Sequence, residues 1–202
     1  MPKRLEFFFD CSSPWTYLAF TRVHDVVKRT GAVIEWKPIL VGGVFNAVNQ
    51  DVYERRASPE PRKSKYYAKD LADWARFTGI KIGRPPVFPV NSVKAMRGAL
   101  IALDDGKLVP YATAVFQAYW GDLLDISQPD ILGPVAVSVG YDAATFLKRI
   151  EEPALKERLR ANTDELIARG GFGSPTMFVD GSDMYFGNDR LPLLEAALAR
   201  AI

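Results

Sequence analysis

Ser13 lies in a segment whose residue types suit the binding of an anion. It precedes Pro14, and both follow an aromatic stretch at residues 5–9, which predicts a buried strand, a tight turn and a helix. Ser13 is a good N-cap and Pro14 suits the first helical position. The unpaired N–H groups and partial positive charge of a helix N-terminus stabilise a negatively charged ligand. Capping alone also explains Ser13, and this interpretation stays open.

A serine at this position excludes some chemistry. The hydroxyl of Ser13 is too weak an acid to be the anion itself, and it cannot exchange disulfides. The chain has a single cysteine, Cys11, and a single histidine, His24, which leaves no internal disulfide and little for a zinc site. We therefore expect no metal, a reducing compartment, and a thiol supplied by a ligand if thiolate chemistry occurs. We interpret Cys11 as a small buried hydrophobic residue and His24 as a solvated surface residue.

Composition indicates a folded protein that acts on neither nucleic acid nor membranes. The 202 residues are 48% hydrophobic, enough for one domain with a sizeable insertion. Lys and Arg number 26 against 24 Asp and Glu, and no basic block interleaved with aromatics suggests a phosphate-binding surface. No run of about 18 apolar residues is long enough to span a bilayer. Glu6 and Asp10 interrupt the apolar stretch after the basic start, so we predict no targeting segment and a cytoplasmic location.

The elements that must position Ser13 are predicted at the two ends of the chain. The helix from Pro14 ends at Gly31, and a second strand at residues 33–37 is stopped by Pro38, which makes a β-α-β unit with parallel strands over residues 4 to 39. Residues 176–179 and 184–186 predict a hairpin around a turn. A last helix follows, and its apolar face consists of Leu191, Leu194, Leu198 and Ala201.

Helical patterns occupy the middle of the chain, from about residue 61 to 170, with no convincing strand. The proline-rich stretch 83–91 predicts an extended loop of the kind that lines binding sites. The order β-α-β, helical block, β-β-α is that of an α/β thioredoxin-like fold with a large inserted all-helical domain. We assign residues 1–44 and 171–202 to the thioredoxin-like domain and residues 45–170 to the insertion.

Several segments occur in the order found in one known family. They are Phe9-Asp10-Cys11-Ser12-Ser13-Pro14-Trp15-Thr16-Tyr17-Leu18-Ala19, Asp70-Leu71-Ala72-Asp73-Trp74-Ala75, Phe88-Pro89, Gly173-Ser174-Pro175-Thr176 and Phe186-Gly187-Asn188-Asp189-Arg190-Leu191. Over nearly the whole length the chain resembles the 2-hydroxychromene-2-carboxylate isomerases, which are grouped with the kappa-class glutathione transferases in the DsbA-like thioredoxin superfamily. The resemblance implies glutathione as cofactor and a homodimer.

The resemblance also implies roles for particular residues. Ser13 fills the catalytic serine position, and Thr16 stands where a Cys-X-X-Cys enzyme holds its resolving cysteine. Pro175 takes the place of the cis-proline of the thioredoxin fold, so that Ser174 binds the cysteinyl backbone of glutathione. An ordinary trans-proline at a strand start is the alternative for Pro175.

The two ends of glutathione are assigned in the same way. Asn188 and Asp189, with help from Arg190, hold the γ-glutamyl end at the N-terminus of the last helix. Capping of that helix explains the pair equally well. Asn49 and Lys63 are the residues that the resemblance indicates for the glycyl end.

An aromatic substrate needs an apolar pocket beside the sulfur. The predicted lining consists of Trp15, Phe88, Asn91 and Trp120, although aromatic residues at these spacings also occur as plain core. Lys37 or Arg84 is expected to receive a substrate carboxylate, and the sequence does not choose between them.

The resulting hypothesis is glutathione-dependent isomerisation of an aromatic acid. The thiol of glutathione has a pKa of about 8.5, and a hydrogen bond from Ser13 contributes roughly 1.5–3 kcal/mol to the thiolate. In the family the reaction converts 2-hydroxychromene-2-carboxylate to trans-o-hydroxybenzylidenepyruvate during aromatic-hydrocarbon breakdown. A kappa-type glutathione transferase and a non-catalytic glutathione-binding or chaperone-like module are the alternatives. Disulfide oxidoreductase activity is disfavoured because Ser13 and Thr16 occupy both redox positions.

Overall fold

A four-stranded mixed sheet forms the centre of the thioredoxin-like part. The computed structural model describes residues 2–200. The strands are β1 (Arg4–Phe9), β2 (Val33–Pro38), β3 (Thr176–Val179) and β4 (Asp183–Phe186). Their spatial order is β2-β1-β3-β4, with β1 parallel to β2 and antiparallel to β3, and β3 antiparallel to β4. The predicted β-α-β unit and the predicted hairpin are both confirmed.

Strand β1 lies inside the sheet and is covered on both faces. Phe7 and Phe9 contact Trp36, at ring-centroid distances of 5.2 and 5.9 Å, whereas Phe8 packs on the opposite face against Phe178. Side chains of a strand alternate between the two faces of its sheet. Coverage of both faces explains why residues 7–9 of this strand are consecutive phenylalanines instead of an alternating pattern.

Helices account for most of the remaining chain. They are α1 (Pro14–Thr30), α2 (Val41–Val48), α3 (Asp51–Ala57), α4 (Pro61–Thr78), α5 (Val93–Asp104), α6 (Leu108–Phe116), α7 (Pro129–Ser138), α8 (Ala143–Ile150), α9 (Pro153–Ala168) and α10 (Leu191–Ala199). A π-helical turn, Gln117–Gly121, extends α6, and a 3₁₀ turn, Asn188–Arg190, leads into α10. Helix α1 ends at Gly31, whose φ of 68° is readily adopted by a residue without a side chain.

The helical middle of the chain agrees with its prediction. Residues 61–170 contain no strand, and residues 80–92 form the extended loop that their prolines predict. Helix α2 crosses the predicted boundary at residues 44/45, and the division into two domains stays a prediction. In the last helix Leu191, Leu194 and Leu198 are buried as expected, whereas Ala201 lies outside the described residues. Within residues 2–200 no helix combines the length and apolar character needed to cross a membrane.

The prediction for His24 is wrong. Its ring lies 5.2 Å from that of Phe20 and 5.4 Å from that of Trp36, between centroids, and the Nε2 atom is buried. His24 is four residues after Phe20 in α1, so both side chains occupy the helix face that packs on β2. Burial lowers the pKa of His24, against the opposing charge of Asp25. Cys11, in contrast, is fully buried as predicted.

Candidate active site

Ser13 joins the end of the central strand to the first helix. Its hydroxyl oxygen accepts a hydrogen bond from the backbone N–H of Thr16 at 3.2 Å, and its carbonyl accepts from Tyr17 N–H at 3.1 Å. The predicted N-cap is confirmed. Pro14 occupies the first helical position. The N–H groups that follow it in the first turn have no carbonyl partner within the helix. The helix N-terminus therefore points these donors and its dipole at the space beside Ser13.

Ser13 and the loop before β3 are tied together through Ser174. The peptide bond between Ser174 and Pro175 is cis, as the fold predicted. The Ser13 hydroxyl donates to the carbonyl oxygen of Ser174 at 3.1 Å. The Ser174 hydroxyl lies 2.8 Å from that of Thr16 and accepts from the Asp10 N–H at 3.0 Å. Residues more than 150 positions apart in sequence thus form one hydrogen-bonded group.

Asp10 is a buried carboxylate beneath this group, and sequence reasoning gave it no role. Its oxygens accept hydrogen bonds from the N–H groups of Ser12 and Val41, both at 2.9 Å, and from the hydroxyl of Ser92 at 3.0 Å. Complete burial raises the pKa of Asp10, and these hydrogen bonds oppose that effect. The carboxylate thereby connects the Ser13 turn to the starts of α2 and α5. An acidic residue directly after the three consecutive phenylalanines 7–9 was the available signal.

Cys11 supports the turn and is not a reactive thiol. Burial, followed by the charge of Asp10, raises its pKa well above the usual value. Its backbone N–H donates to the sulfur of Met96 at 3.4 Å, and its carbonyl accepts from the indole Nε1 of Trp120 at 2.9 Å. Trp120 is only 3% exposed. Trp120, which was predicted to line the pocket, therefore supports the Ser13 turn from the protein interior.

The other predicted pocket residues lie nearer to solvent. Phe88 is 50% exposed on the proline-rich loop, with its ring 6.1 Å from that of Trp120. Tyr119 fixes this loop by donating to the Val87 carbonyl at 2.9 Å. Trp15 is half-buried in the first turn of α1, and Asn91 is exposed, with its side chain bonded to the N–H of Val93 at 3.1 Å.

Asn188 and Asp189 lie in the 3₁₀ turn that leads into α10, and this turn packs against α1. Asn188 is 2% exposed, and within residues 2–200 its side-chain oxygen has no hydrogen-bond partner. Asp189 is exposed and pairs with Arg190 at 3.3 Å. The Asn188 carbonyl accepts a long bond of 3.5 Å from Arg22. A buried acceptor without a donor is the expected property of a residue that binds a ligand.

The structure separates the two residues predicted for the glycyl end. The side-chain amide of Asn49 donates to the carbonyl of Phe172 at 3.0 Å, immediately before the loop that carries Ser174. Lys63 is exposed in the first turn of α4, where its N–H is bonded to the Glu60 carboxylate. Only Asn49 is thus joined directly to the loop of the cis-proline.

The cations considered for a substrate carboxylate differ in availability. Lys37 pairs with Glu35 at 2.8 Å and with Glu165 at 3.3 Å, whereas Arg84 is exposed on the proline-rich loop. Lys37 also borders a cavity of about 450 Å³ along β2. The other two cations of that cavity are likewise paired, Arg4 with Glu35 and Arg158 with Asp104. None of its lining residues belongs to the group around Ser13.

Acidic residues, histidine and cysteine form no cluster suited to a metal ion within residues 2–200. The groups around Ser13 are hydrogen-bond donors and a helix N-terminus, which suit the binding of an anion.

Comparison with known proteins agrees with this geometry. The family model of the DSBA-like thioredoxin domain matches residues 4–199. A 2-hydroxychromene-2-carboxylate isomerase of Sphingobium xenophagum is 31% identical, over 98% of this chain and 99% of its own. The isomerase of Pseudomonas putida is 32% identical, over 97% of this chain and 94% of its own. Human glutathione S-transferase kappa 1 is 27% identical, over 96% of this chain and 90% of its own.

Solved structures give the same assignment. A 2-hydroxychromene-2-carboxylate isomerase superimposes with a TM-score of 0.83 at 31% identity, covering 98% of this chain and 95% of the other. A probable DsbA oxidoreductase of Streptomyces coelicolor, at 17% identity and a TM-score of 0.79, shares the fold, covering 97% of this chain and 88% of the other. The chain therefore belongs to the 2-hydroxychromene-2-carboxylate isomerase family of DSBA-like thioredoxin domains and is an enzyme of that family.

Proposed function

We propose that this member of the 2-hydroxychromene-2-carboxylate isomerase family binds glutathione beside Ser13 and uses its thiolate to isomerise aromatic acids. The observation that carries the proposal is the Ser13 hydroxyl at the N-terminus of α1, 3.1 Å from the carbonyl of the residue before cis-Pro175. A sulfur placed there meets a hydroxyl donor and the positive end of a helix together.

Ser13 activates the bound thiol and does not attack the substrate itself. A hydrogen bond to a charged partner contributes about 1.5–3 kcal/mol, and the helix terminus about 0.3–1 kcal/mol. Because about 1.4 kcal/mol corresponds to one pKa unit, these contributions make the thiolate a major species at neutral pH. The hydroxyl oxygen of Ser13 accepts a hydrogen bond from the Thr16 N–H. This bond holds the oxygen in position while the hydroxyl proton of Ser13 turns toward the sulfur.

Binding of the cysteinyl part of glutathione replaces one hydrogen bond within the protein with two hydrogen bonds to the ligand. In the structure the Ser13 proton is directed at the Ser174 carbonyl. When that proton turns to the sulfur, the Ser174 carbonyl becomes free to accept the N–H of the cysteinyl residue. This carbonyl belongs to the residue before cis-Pro175, just ahead of the start of β3. Recognition of the peptide and activation of its thiol are coupled in this way.

The outer parts of glutathione are held by charge and by polar contacts. The buried oxygen of Asn188 and the carboxylate of Asp189 receive the γ-glutamyl ammonium. Asn49 and Lys63 bind the glycyl carboxylate, with Lys63 supplying the positive charge. An ammonium on Asn188 satisfies an acceptor that is otherwise buried without a donor.

The reaction is a reversible addition beside the aromatic pocket. The cyclic acid first opens: its ring C–O bond breaks, the 2-hydroxyl carbon becomes a carbonyl and the hydroxyl proton passes to the phenolic oxygen. The thiolate then forms a C–S bond to the double bond conjugated with this carbonyl, and the displaced electron pair moves onto the carbonyl. The former double bond is then a single bond, about which the adduct rotates. Elimination returns the pair, breaks the C–S bond and releases the trans product with the thiolate regenerated. Trp15, Phe88, Asn91 and Trp120 provide the surroundings of the aromatic ring, and 2-hydroxychromene-2-carboxylate is the proposed substrate.

A kappa-type transferase is the second candidate, because kappa glutathione S-transferases are among the relatives. It consumes glutathione and forms a stable conjugate, whereas the isomerase regenerates it. A homodimer and a cytoplasmic location are also proposed, and sedimentation and cell fractionation test them.

An absorbance assay of chromene-carboxylate isomerisation tests the proposal. Wild type and Ser13→Ala are measured with and without glutathione, and the exposed Ser182→Ala serves as the matched control. We expect turnover that requires glutathione, does not reduce the thiol concentration and is about tenfold slower at pH 7 in Ser13→Ala only. Turnover without glutathione rejects the proposal, and stoichiometric thiol loss indicates the transferase. Identical glutathione-dependent rates in wild type and Ser13→Ala contradict the proposed role of Ser13.

A further inference from the structure

Arg56, in the last turn of α3, is a cation that the functional assignment leaves unused. Its guanidinium carbon lies 5.5 Å from the ring centroid of Phe45 and 5.3 Å from that of Phe88. The neighbouring Arg55 bonds to the Asp51 carbonyl and to Asn49. Among the described residues 2–200, in contrast, no carboxylate forms an ion pair with Arg56. The guanidinium is thus held by two aromatic rings and has no anionic partner.

Two sets of contacts link this guanidinium, through Phe45 and Phe88, to the loops that flank the Ser13 turn. Phe45 approaches the loop of the cis-proline so closely that a Cβ on Gly173 would lie 3.8 Å from its ring. Phe88 contacts Trp120, whose indole is bonded to the Cys11 carbonyl, two residues before Ser13. Arg56 therefore lies between the two loops that enclose the site.

The position of Arg56 beside two aromatic rings favours one kind of ligand. Aromatic faces hold the flat side of a guanidinium through cation–π attraction, which leaves its N–H edges free. Those edges match the two oxygens of a carboxylate, and Arg binds such groups with two parallel hydrogen bonds. Phe88 is half-exposed beside it and offers its ring to an apolar group. A flat molecule with an aromatic ring and a carboxylate satisfies both features at once.

We infer that Arg56 binds the carboxylate of the aromatic acid substrate, with Phe45 and Phe88 holding its guanidinium in position. The inference rests on the proposed function and adds the specificity-determining residue to it. Lys37 is a weaker alternative because two carboxylates already occupy its ammonium. Arg84 lies on the same loop as Phe88 and competes directly with Arg56.

Equilibrium binding tests the inference without turnover. Cinnamate and its neutral analogue cinnamamide are titrated into the glutathione-loaded protein, and tryptophan fluorescence is recorded. Wild type is expected to bind the acid about tenfold more tightly than the amide, as hydrogen bonds to a charged group imply. Arg56→Gln should bind both equally, and Arg56→Lys should retain part of the preference. The exposed Arg160→Gln, remote in sequence and paired only along α9, should behave as wild type.

Other outcomes overturn the inference. These are a wild type without preference for the acid, an Arg56→Gln protein that retains the preference, and its loss in Arg84→Gln instead. A tenfold weaker glutathione affinity in Arg56→Gln with unchanged cinnamate binding would assign Arg56 to the glycyl carboxylate. Circular dichroism of each variant establishes that it is folded. Failure of wild-type isomerisation rejects the proposed function but leaves the binding result for Arg56 standing, so the two failures are distinguishable.

Discussion

The hydroxyl of Ser13 and the carbonyl of Ser174 share a 3.1 Å hydrogen bond across the end of the sheet. The group proposed to activate the thiol is therefore bonded to the group proposed to recognise the peptide that carries it. In the free protein each satisfies the other, which avoids a buried polar group without a partner. A ligand that supplies both an N–H donor and a thiolate replaces this bond with two.

Replacement of Ser13 by alanine should change the pH dependence of turnover as well as its rate. Loss of one hydrogen bond to the thiolate, about 1.5–3 kcal/mol, raises the pKa of the bound thiol by about one to two units, so the thiolate fraction at pH 7 and the rate should fall by about tenfold. The rise of kcat with pH should move toward the pKa of free thiols, about 8.5. The measurement is kcat between pH 6 and 9.5, and a profile that coincides with that of Ser182→Ala would contradict the role.

Replacement of Asp10 by asparagine should destabilise the protein. The carboxylate faces three donors, from Ser12, Val41 and Ser92, and an amide group places its own N–H bonds against some of them. Unsatisfied buried donors cost about 1–3 kcal/mol. Urea unfolding at pH 7 measures the change, with the exposed Asp164→Asn as control. An Asp10→Asn protein as stable as that control would show that the carboxylate is dispensable.

Replacement of Thr16 by valine should loosen the cis-proline loop. Valine keeps the shape of the side chain and removes the hydroxyl that lies 2.8 Å from the Ser174 hydroxyl. We expect a loss of about 0.5–1.5 kcal/mol in the free energy of unfolding and a higher KM for glutathione. Thr16→Ser retains the hydroxyl and should restore glutathione affinity. If Thr16→Ser and Thr16→Val behave alike, the hydroxyl contact does not position Ser174.

His24 predicts a loss of stability on mild acidification. Its ordinary pKa is about 6.5, and burial lowers it in the folded state. Below that value the unfolded chain binds a proton that the folded protein does not, so stability is present above pH 6.5 and is lost as pH falls toward the folded pKa. Because His24 is the only histidine, His24→Gln should reduce the difference in unfolding free energy between pH 7.5 and 5.5. An unchanged difference would assign the pH dependence to other groups.

Cys11 should resist thiol reagents until the protein unfolds. It is fully buried, and its raised pKa leaves little thiolate. A disulfide reagent at pH 8 is expected to react slowly with the native protein and rapidly with urea-unfolded chain. Rapid native modification would contradict the packing around this residue.

Local signals predicted the parts of the site that depend on neighbours in sequence. Ser13 and Pro14 announce a helix start because capping needs only the next three residues. The apolar run that precedes them identified the buried strand, and the hairpin around residues 180–182 followed from its turn. The cis-proline was expected from the order of elements in the fold, since X-Pro sequences adopt either isomer.

Other parts were missed because they depend on what approaches from elsewhere in the chain. His24 has charged sequence neighbours, yet its ring contacts Trp36, which belongs to strand β2. Asp10 is satisfied by Val41 and Ser92, which no periodicity links to it. Arg56 lies beside Phe88 because α3 and the proline-rich loop meet in space.

The sequence by itself determined the thioredoxin-like order of elements, the capped helix and a serine in place of a redox cysteine. These properties follow from residue types and short-range backbone preferences. The tertiary structure alone decided which groups meet. It formed the Ser13–Ser174 hydrogen bond, supplied the donors to Asp10, buried the ring of His24 and placed Arg56 beside two aromatic rings. Such contacts depend on the packing of segments distant in sequence, and packing responds to shape and burial that no local pattern encodes.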